Sequence, residues 1–136
     1  MNHLYILDTD TCIFILRRSS PALLERIQAA PLREQAMSVV TLAELLYGVQ
    51  VSAKTKKKAN QEGVDALVRH LAVLEWPAEA AAHYAEIRAD LKRKGQSIGA
   101  NDLMIAAHAR SIGATVVTNN VKDFGRVKGL KVVNWT

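Results

Sequence analysis

Apolar runs of only two to four residues recur along the chain, at positions 4–7, 37–40, 73–74, 116–117 and 131–133, with helical spacing between them. Short buried strands alternating with helices imply βαβ units, because parallel neighbours must be joined by long crossovers. The pattern therefore predicts an α/β fold, a three-layer α/β/α sandwich around a mostly parallel central sheet. The chain has 136 residues, which suits a single domain spanning 1–136 with a substantial core. Aromatic residues make up 5% of the chain, so Leu, Ile, Val and Ala must fill that core.

Local signals set the element boundaries. A helix over 11–18 follows the first run. Ser20 then serves as an N-cap with Pro21 at the first helical position, and Leu23, Leu24 and Ile27 form that helix's apolar stripe. Thr41-Leu-Ala-Glu44 has capping-box spacing and predicts a helix through Leu45, Leu46 and Val49. Residues 52–58 read as a basic connector, and helices over 60–71 and 78–94 flank Val73-Leu74. Gly113 ends a helix opened by Asn101-Asp102.

Against that frame the acidic residues are conspicuously placed. Asp8 ends the first strand, Glu44 follows the second, Asp102 opens an apolar helix, and Asn120 and Asp123 follow the run at 115–118. The carboxyl ends of parallel strands share one edge of the sheet, where ligand sites form. Carboxylates that converge there repel one another unless a cation or proton compensates them. A divalent metal site is the natural reading.

Each acid also has a plainer role open to it. Asp8 can bond to the amides of the next helix, and Asp10 is read as the cap of that helix. Glu44 either closes a capping box on Thr41 or turns its carboxylate toward the cleft. Asp102 can complement the positive end of its helix. Residues 103–109 are apolar around nearly the whole circumference, however, so that helix is central and its first carboxylate borders the core. Asn120 or Asp123 completes the set, with Asp123 expected in a loop. His83, Glu86 and Asp90 share helical spacing, but Tyr84, Ile87 and Leu91 mark the other face as the apolar one. His108 reads as a core residue, and Cys12 as packing.

The net charge of +5 favours polyanions. An acidic cluster within a basic protein suits a metal-loaded pocket that serves a phosphate-rich substrate. Lys54, Lys56, Lys57 and Lys58, with Arg88, Lys92, Arg93 and Lys94, are the candidate phosphate contacts. A single cysteine excludes an intrachain disulfide or a thiolate zinc site. Neither a secretion signal nor a membrane span is read, so a cytoplasmic protein is expected.

Four segments, Leu7-Asp-Thr-Asp10, Ser38-Val-Val-Thr-Leu-Ala-Glu-Leu-Leu-Tyr-Gly48, Gly95-Gln-Ser-Ile-Gly-Ala-Asn-Asp102 with Leu103-Met-Ile-Ala-Ala-His-Ala109, and Val117-Thr-Asn-Asn120-Val-Lys-Asp-Phe124, resemble the PIN-domain ribonucleases. More narrowly, they resemble the VapC-type toxins of toxin–antitoxin pairs. The resemblance implies a Mg²⁺-dependent endoribonuclease, with Mn²⁺ also supporting activity. It further implies dimerisation, inhibition by a cognate VapB-type antitoxin in a larger complex, and structured RNA, with tRNA favoured, as substrate.

The family's catalytic acids fall on Asp8, Glu44 and Asp102, and Asn120 stands where many relatives carry another aspartate. Under this reading Asp8 and Asp102 hold the principal ion, and Glu44 orients or deprotonates the attacking water. Thr118, Asn120 and Asp123 position waters, a secondary ion or a phosphate oxygen. Lys92, Arg93 and Lys94 contact the RNA backbone. Two other classes remain open from the residues: a haloacid-dehalogenase-like phosphatase using Asp8-Thr-Asp10, and a non-catalytic nucleic-acid-binding module in which the acids are helix caps.

Overall fold

A computed structural model describes residues 3–136. Among them, strands β1 (Tyr5–Leu7), β2 (Gln35–Ser38), β3 (Ala72–Leu74), β4 (Thr115–Val117) and β5 (Lys131–Val133) form one sheet. All pairings are parallel, in the order β3-β2-β1-β4-β5. Ile6 pairs in register with Ala36 on one side and Val116 on the other. The helices are α1 (Thr9–Arg17), α2 (Pro21–Ala29), α3 (Val39–Val51), α4 (Lys57–His70), α5 (Ala80–Arg93), α6 (Ala100–Ser111) and the short α7 (Val121–Phe124).

Strand alternation divides the core into two layers. Ile6 and Val116 point into one layer with Ile87, Leu91, Leu103, Ile105 and Phe124, from α5, α6 and α7. Leu7, Met37 and Val117 point into the other, with Cys12, Leu23, Ile27, Leu45, Val49, Val64 and Leu67 from α1 to α4. The expected three-layer sandwich is therefore present. Residues 103 and 105–109 of α6 are all buried, as the apolar circumference of that helix requires. Among the described residues, no helix is long and apolar enough to cross a membrane.

The strand order places a reversal at the centre of the sheet. From β1 the chain steps outward through β2 and β3, then returns to the opposite side of β1 for β4 and β5. The crevice at the carboxyl ends of β1 and β4 is the topological switch point, where open α/β sheets hold ligands. Asp8 follows β1 directly and Thr118 follows β4.

Several boundaries differ from the sequence reading. β2 covers Gln35–Ser38 rather than 37–40, and Val39 already begins α3 because Ser38 Oγ accepts the Val40 amide at 3.2 Å. A polar residue can open this buried strand because the Gln35 side-chain amide donates to the carbonyls of Ile27 and Ala30, at 3.0 and 3.1 Å. Thr41 therefore lies inside α3 and is no cap. Lys57 and Lys58 belong to the first turn of α4 rather than to the connector. Ser20 does cap α2, accepting from Leu23 N at 3.2 Å, and Gly113 ends α6 at φ +70°.

Ile105 is fully buried within α6 and touches the layer that seats Asp102. Ile105→Ala should destabilise the chain by about 2–4 kcal/mol in urea unfolding. A loss below about 1 kcal/mol would show that α6 is not the packed centre of this layer.

Candidate active site

The crevice is built from the end of β1 outward. Asp8, 1% exposed, N-caps α1, and its Oδ1 accepts the Thr11 amide at 2.9 Å. Its Oδ2 accepts from Thr118 Oγ1 at 2.5 Å. The Asp8 amide in turn donates to the Val117 carbonyl, as does the Thr11 hydroxyl. Helix α1 and the end of β4 are thus tied together through one aspartate. Burial still raises the Asp8 carboxyl above the usual range, opposed by the hydrogen bonds from Thr118 and Thr11.

Glu44 reaches the same crevice from the second turn of α3. Oε1 accepts from Thr9 Oγ1 at 2.5 Å, and Oε2 accepts from Asn101 Nδ2 at 3.0 Å. The expected capping box is absent: Ser38 caps α3, and the Glu44 carboxylate faces the cleft. Asp10 is likewise not the cap of α1. Asp8 takes that position, which leaves Asp10 exposed on the first turn at the cleft wall.

Asp102 stands in the first turn of α6, half-buried. Burial, then the charges of Asp8, Asp10, Glu44 and Asp123, push its carboxyl up to about 6. Four acids from three other stretches of chain therefore act on Asp102 here. The cleft encloses about 680 Å³ and is lined by Thr9, Asp10, Glu44, Asn101 and Asp102, with Val40, Tyr47 and Met104 supplying apolar wall.

Asn120 and Asp123 form a unit. Asn120 caps α7; its Nδ2 donates to Asp123 Oδ2 at 3.0 Å, and its backbone amide donates to Thr118 Oγ1 at 2.8 Å. Asp123 lies in α7, not in a loop, and also pairs with Arg126 at 3.4 Å. Thr118 is committed to both Asp8 and Asn120.

Other expected side chains lie outside this network. Lys92, Arg93 and Lys94 are exposed at the end of α5, where Lys94 and Arg93 pair with Asp90 at 2.9 and 3.8 Å. His83 and Glu86 accept from the Arg110 guanidinium at 2.8 and 3.0 Å, an anchor between α5 and α6. His108 is buried, with Nδ1 2.8 Å from Ser38 Oγ, and burial depresses its pKa. Cys12 is buried, and burial holds its thiol protonated.

A family model described as the PIN domain matches residues 5–130. The tRNA(fMet)-specific endonuclease VapC of Salmonella typhimurium is 39% identical over 131 residues, covering 96% of this chain and 97% of that protein. Ribonuclease VapC2 of Rickettsia felis is 38% identical, covering 97% and 98%. The chain belongs to the VapC ribonucleases of the PIN-domain family. Its fold matches the DNA-bound VapBC structure from Salmonella typhimurium with a TM-score of 0.91 at 37% identity, over 98% of this chain and 99% of that one. It also matches VapBC2 of Rickettsia felis bound to a promoter DNA fragment, with a TM-score of 0.90 at 36% identity and the same coverage.

Within this PIN domain, the hydroxyl and amide groups that hold the acids were the least visible in the sequence. Thr9 and Asn101 hold the Glu44 carboxylate, and the Thr11 hydroxyl binds the Val117 carbonyl at the end of β4. Their one signal is position, immediately beside Asp8 and Asp102.

The crowding of charge has a stability consequence. A carboxyl raised in the folded state binds a proton that the unfolded chain has already lost. Stability from Asp102 in metal-free protein therefore falls as pH rises from about 4 to about 6, and the full cost persists above that. In chelator, Asp102→Asn should raise the melting midpoint by a few degrees at pH 7.5 and change it little at pH 4.5. An equal or lower midpoint at pH 7.5 would contradict mutual repulsion among the acids.

Proposed function

We propose that this chain is an endoribonuclease toxin that cleaves structured RNA, with tRNA the favoured substrate, and is neutralised by a cognate VapB-type antitoxin. The observation that carries the reading is the meeting of Asp8, Glu44 and Asp102 at the sheet's switch point, in a chain of the VapC family.

A divalent cation, Mg²⁺ or Mn²⁺, fits the donors present. Asp8 and Asp102 have carboxylates raised by burial, and in the case of Asp102 by neighbouring negative charge, so both lower their energy beside a cation. Among the described residues, no three Asp, Glu, His or Cys side chains stand together as a group that could hold a metal ion, so at most two carboxylates would reach one. That suits a hard ion which keeps several waters and takes one or two carboxylates. Asp8 and Asp102 would hold it. When bound, it would supply Lewis-acid stabilisation of the phosphate charge and make water a nucleophile near neutral pH.

The remaining roles fall to the chain itself. Glu44, aimed by Thr9 and Asn101, orients the attacking water and accepts its proton. Thr118 holds the Asp8 carboxylate in place. Asn120 holds Asp123, whose carboxylate completes the electrostatic field and reaches the site through water. In-line attack breaks the bond to the 3′ oxygen and leaves a 5′-phosphate and a 3′-hydroxyl, so the ribose 2′-hydroxyl is not the nucleophile.

An antitoxin segment has a suitable seat. An apolar groove lined by Ile13, Leu16, Leu45, Val49 and Val64, with Gly48 and Gly63 at its open positions, runs up to Glu44. Exposed Leu46, Tyr47 and Val51 on α3 extend apolar surface beyond it, which suits a protein partner or a second copy of this chain.

Asp8→Ala and Asp102→Asn should each lower cleavage of tRNA in Mg²⁺ by at least about 100-fold, and EDTA should abolish wild-type cleavage. Fragment ends read by ligation-based mapping should carry 5′-phosphates. Undiminished cleavage by Asp8→Ala, or indifference to EDTA, would refute the mechanism, and 2′,3′-cyclic phosphate ends would reassign the nucleophile. Co-expression with the adjacent small open reading frame should yield an inactive complex. Free and fully active protein would contradict the toxin–antitoxin reading.

A further inference from the structure

The connector from α3 to α4 carries Lys54 and Lys56, and α4 opens with Lys57 and Lys58. All four are exposed, and among the described residues none has an ion-pair partner. This differs from Lys94 and Arg93, which share Asp90.

The lysines also sit at an unfavourable address. Lys56 stands at the N-cap of α4 and makes no side-chain cap, and the first turn of that helix contains no acid. Cations at the positive end of a helix are destabilising, just as anions there are stabilising. Lys54, Lys57 and Lys58 line one shallow depression with Gln61 and Glu62, so a single carboxylate faces three ammonium groups. Folding thus gathers like charge that the helix end opposes and a single carboxylate, Glu62, offsets only in part. An external anion with several charges would compensate it.

The place of this cluster indicates which anion. Ala59 and Asn60, immediately beyond Lys58, line the groove that includes Glu44. Seven residues of α3 separate Glu44 from the end of the helix at Val51, about 10 Å along its axis. At roughly 3.4 Å per nucleotide along a helical strand, that is about three phosphates. Five of the chain's thirteen acids surround the cleft, so the rest of the surface is more basic than the net +5 conveys.

Resting on the nuclease reading above, we propose that Lys54, Lys56, Lys57 and Lys58 form the main electrostatic clamp on the RNA backbone, a few nucleotides from the scissile bond. Lys92, Arg93 and Lys94 contribute less, since Arg93 and Lys94 share Asp90.

The clamp is tested with Asp8→Asn protein, which binds without cutting, and fluorescein-labelled unfractionated tRNA in EDTA, titrated across a range of salt concentrations. Each lost phosphate contact should flatten the slope of log K against log salt by roughly 0.7–0.9. Replacing all four lysines by Gln should flatten it by about 2.8–3.6, and Lys57→Gln alone by about 0.7–0.9. Lys92→Gln, Arg93→Gln and Lys94→Gln combined should change it less. The fourfold variant should melt no lower than its parent, because the lost charges repel one another and the helix end.

An unchanged slope in the fourfold and single variants would overturn the clamp even if wild-type protein cleaves tRNA in Mg²⁺. A larger change from the α5 set would overturn it as well. Loss of antitoxin capture with an unchanged RNA slope would reassign the lysines to an acidic protein partner, against the proposal. Absence of both tRNA binding and tRNA cleavage by wild-type protein would instead defeat the nuclease reading and take the clamp with it.

Discussion

The buried carboxylate of Asp8 is the constraint on which the rest of the site depends. A carboxylate at the end of a central strand has almost no water, so its oxygens must be satisfied by protein donors. One takes the first-turn amide of α1, the other the hydroxyl of Thr118. These two bonds fix how α1 leaves β1 and how the chain leaves β4. Through Asn120, whose amide donates to Thr118, they also set where α7 begins. The same hydrogen bonds oppose, without cancelling, the effect of burial on Asp8. One side chain thus ties α1 to the end of β4, and the reading of Asp8 as a metal ligand asks it to serve chemistry from the same anchored position.

Around that anchor the fold concentrates charge of opposite sign in separate places. Acids from α1, α3, α6 and α7 converge until Asp102 is held near 6, while unpaired lysines collect at the opening of α4. Each concentration is unfavourable alone; under the proposed reading a cation within the cleft relieves the first and a polyanion outside it the second.

The layer architecture and the parallel sheet were largely legible in the sequence because they rest on period and length; the strand order was not. Five brief apolar runs between helical stretches leave few topologies, and Ser20-Pro21 and Gly113 marked boundaries through backbone chemistry that needs no tertiary context. The convergence of Asp8, Glu44 and Asp102 was also legible, since parallel strands bring their carboxyl ends to one edge. What failed was local. Thr41 and Glu44 have ideal capping-box spacing, yet Ser38 caps the helix, because pairing with β3 ends β2 at that serine. Asp10 lost the cap of α1 to Asp8 because the helix begins at Thr9, two residues before the reading placed it, directly after β1 ends at Leu7. The partners of Glu44, Thr9 and Asn101, could not be read at all, because hydrogen bonds across 35 and 57 positions leave no periodic trace.

The central claim is that Asp8 and Asp102 share one cation. The most direct test is anomalous diffraction from crystals of the protein soaked in Mn²⁺. The account predicts a single strong peak between the Asp8 and Asp102 carboxylates that disappears in Asp102→Asn protein. A peak elsewhere in the molecule, or one that survives that substitution unchanged, would contradict it.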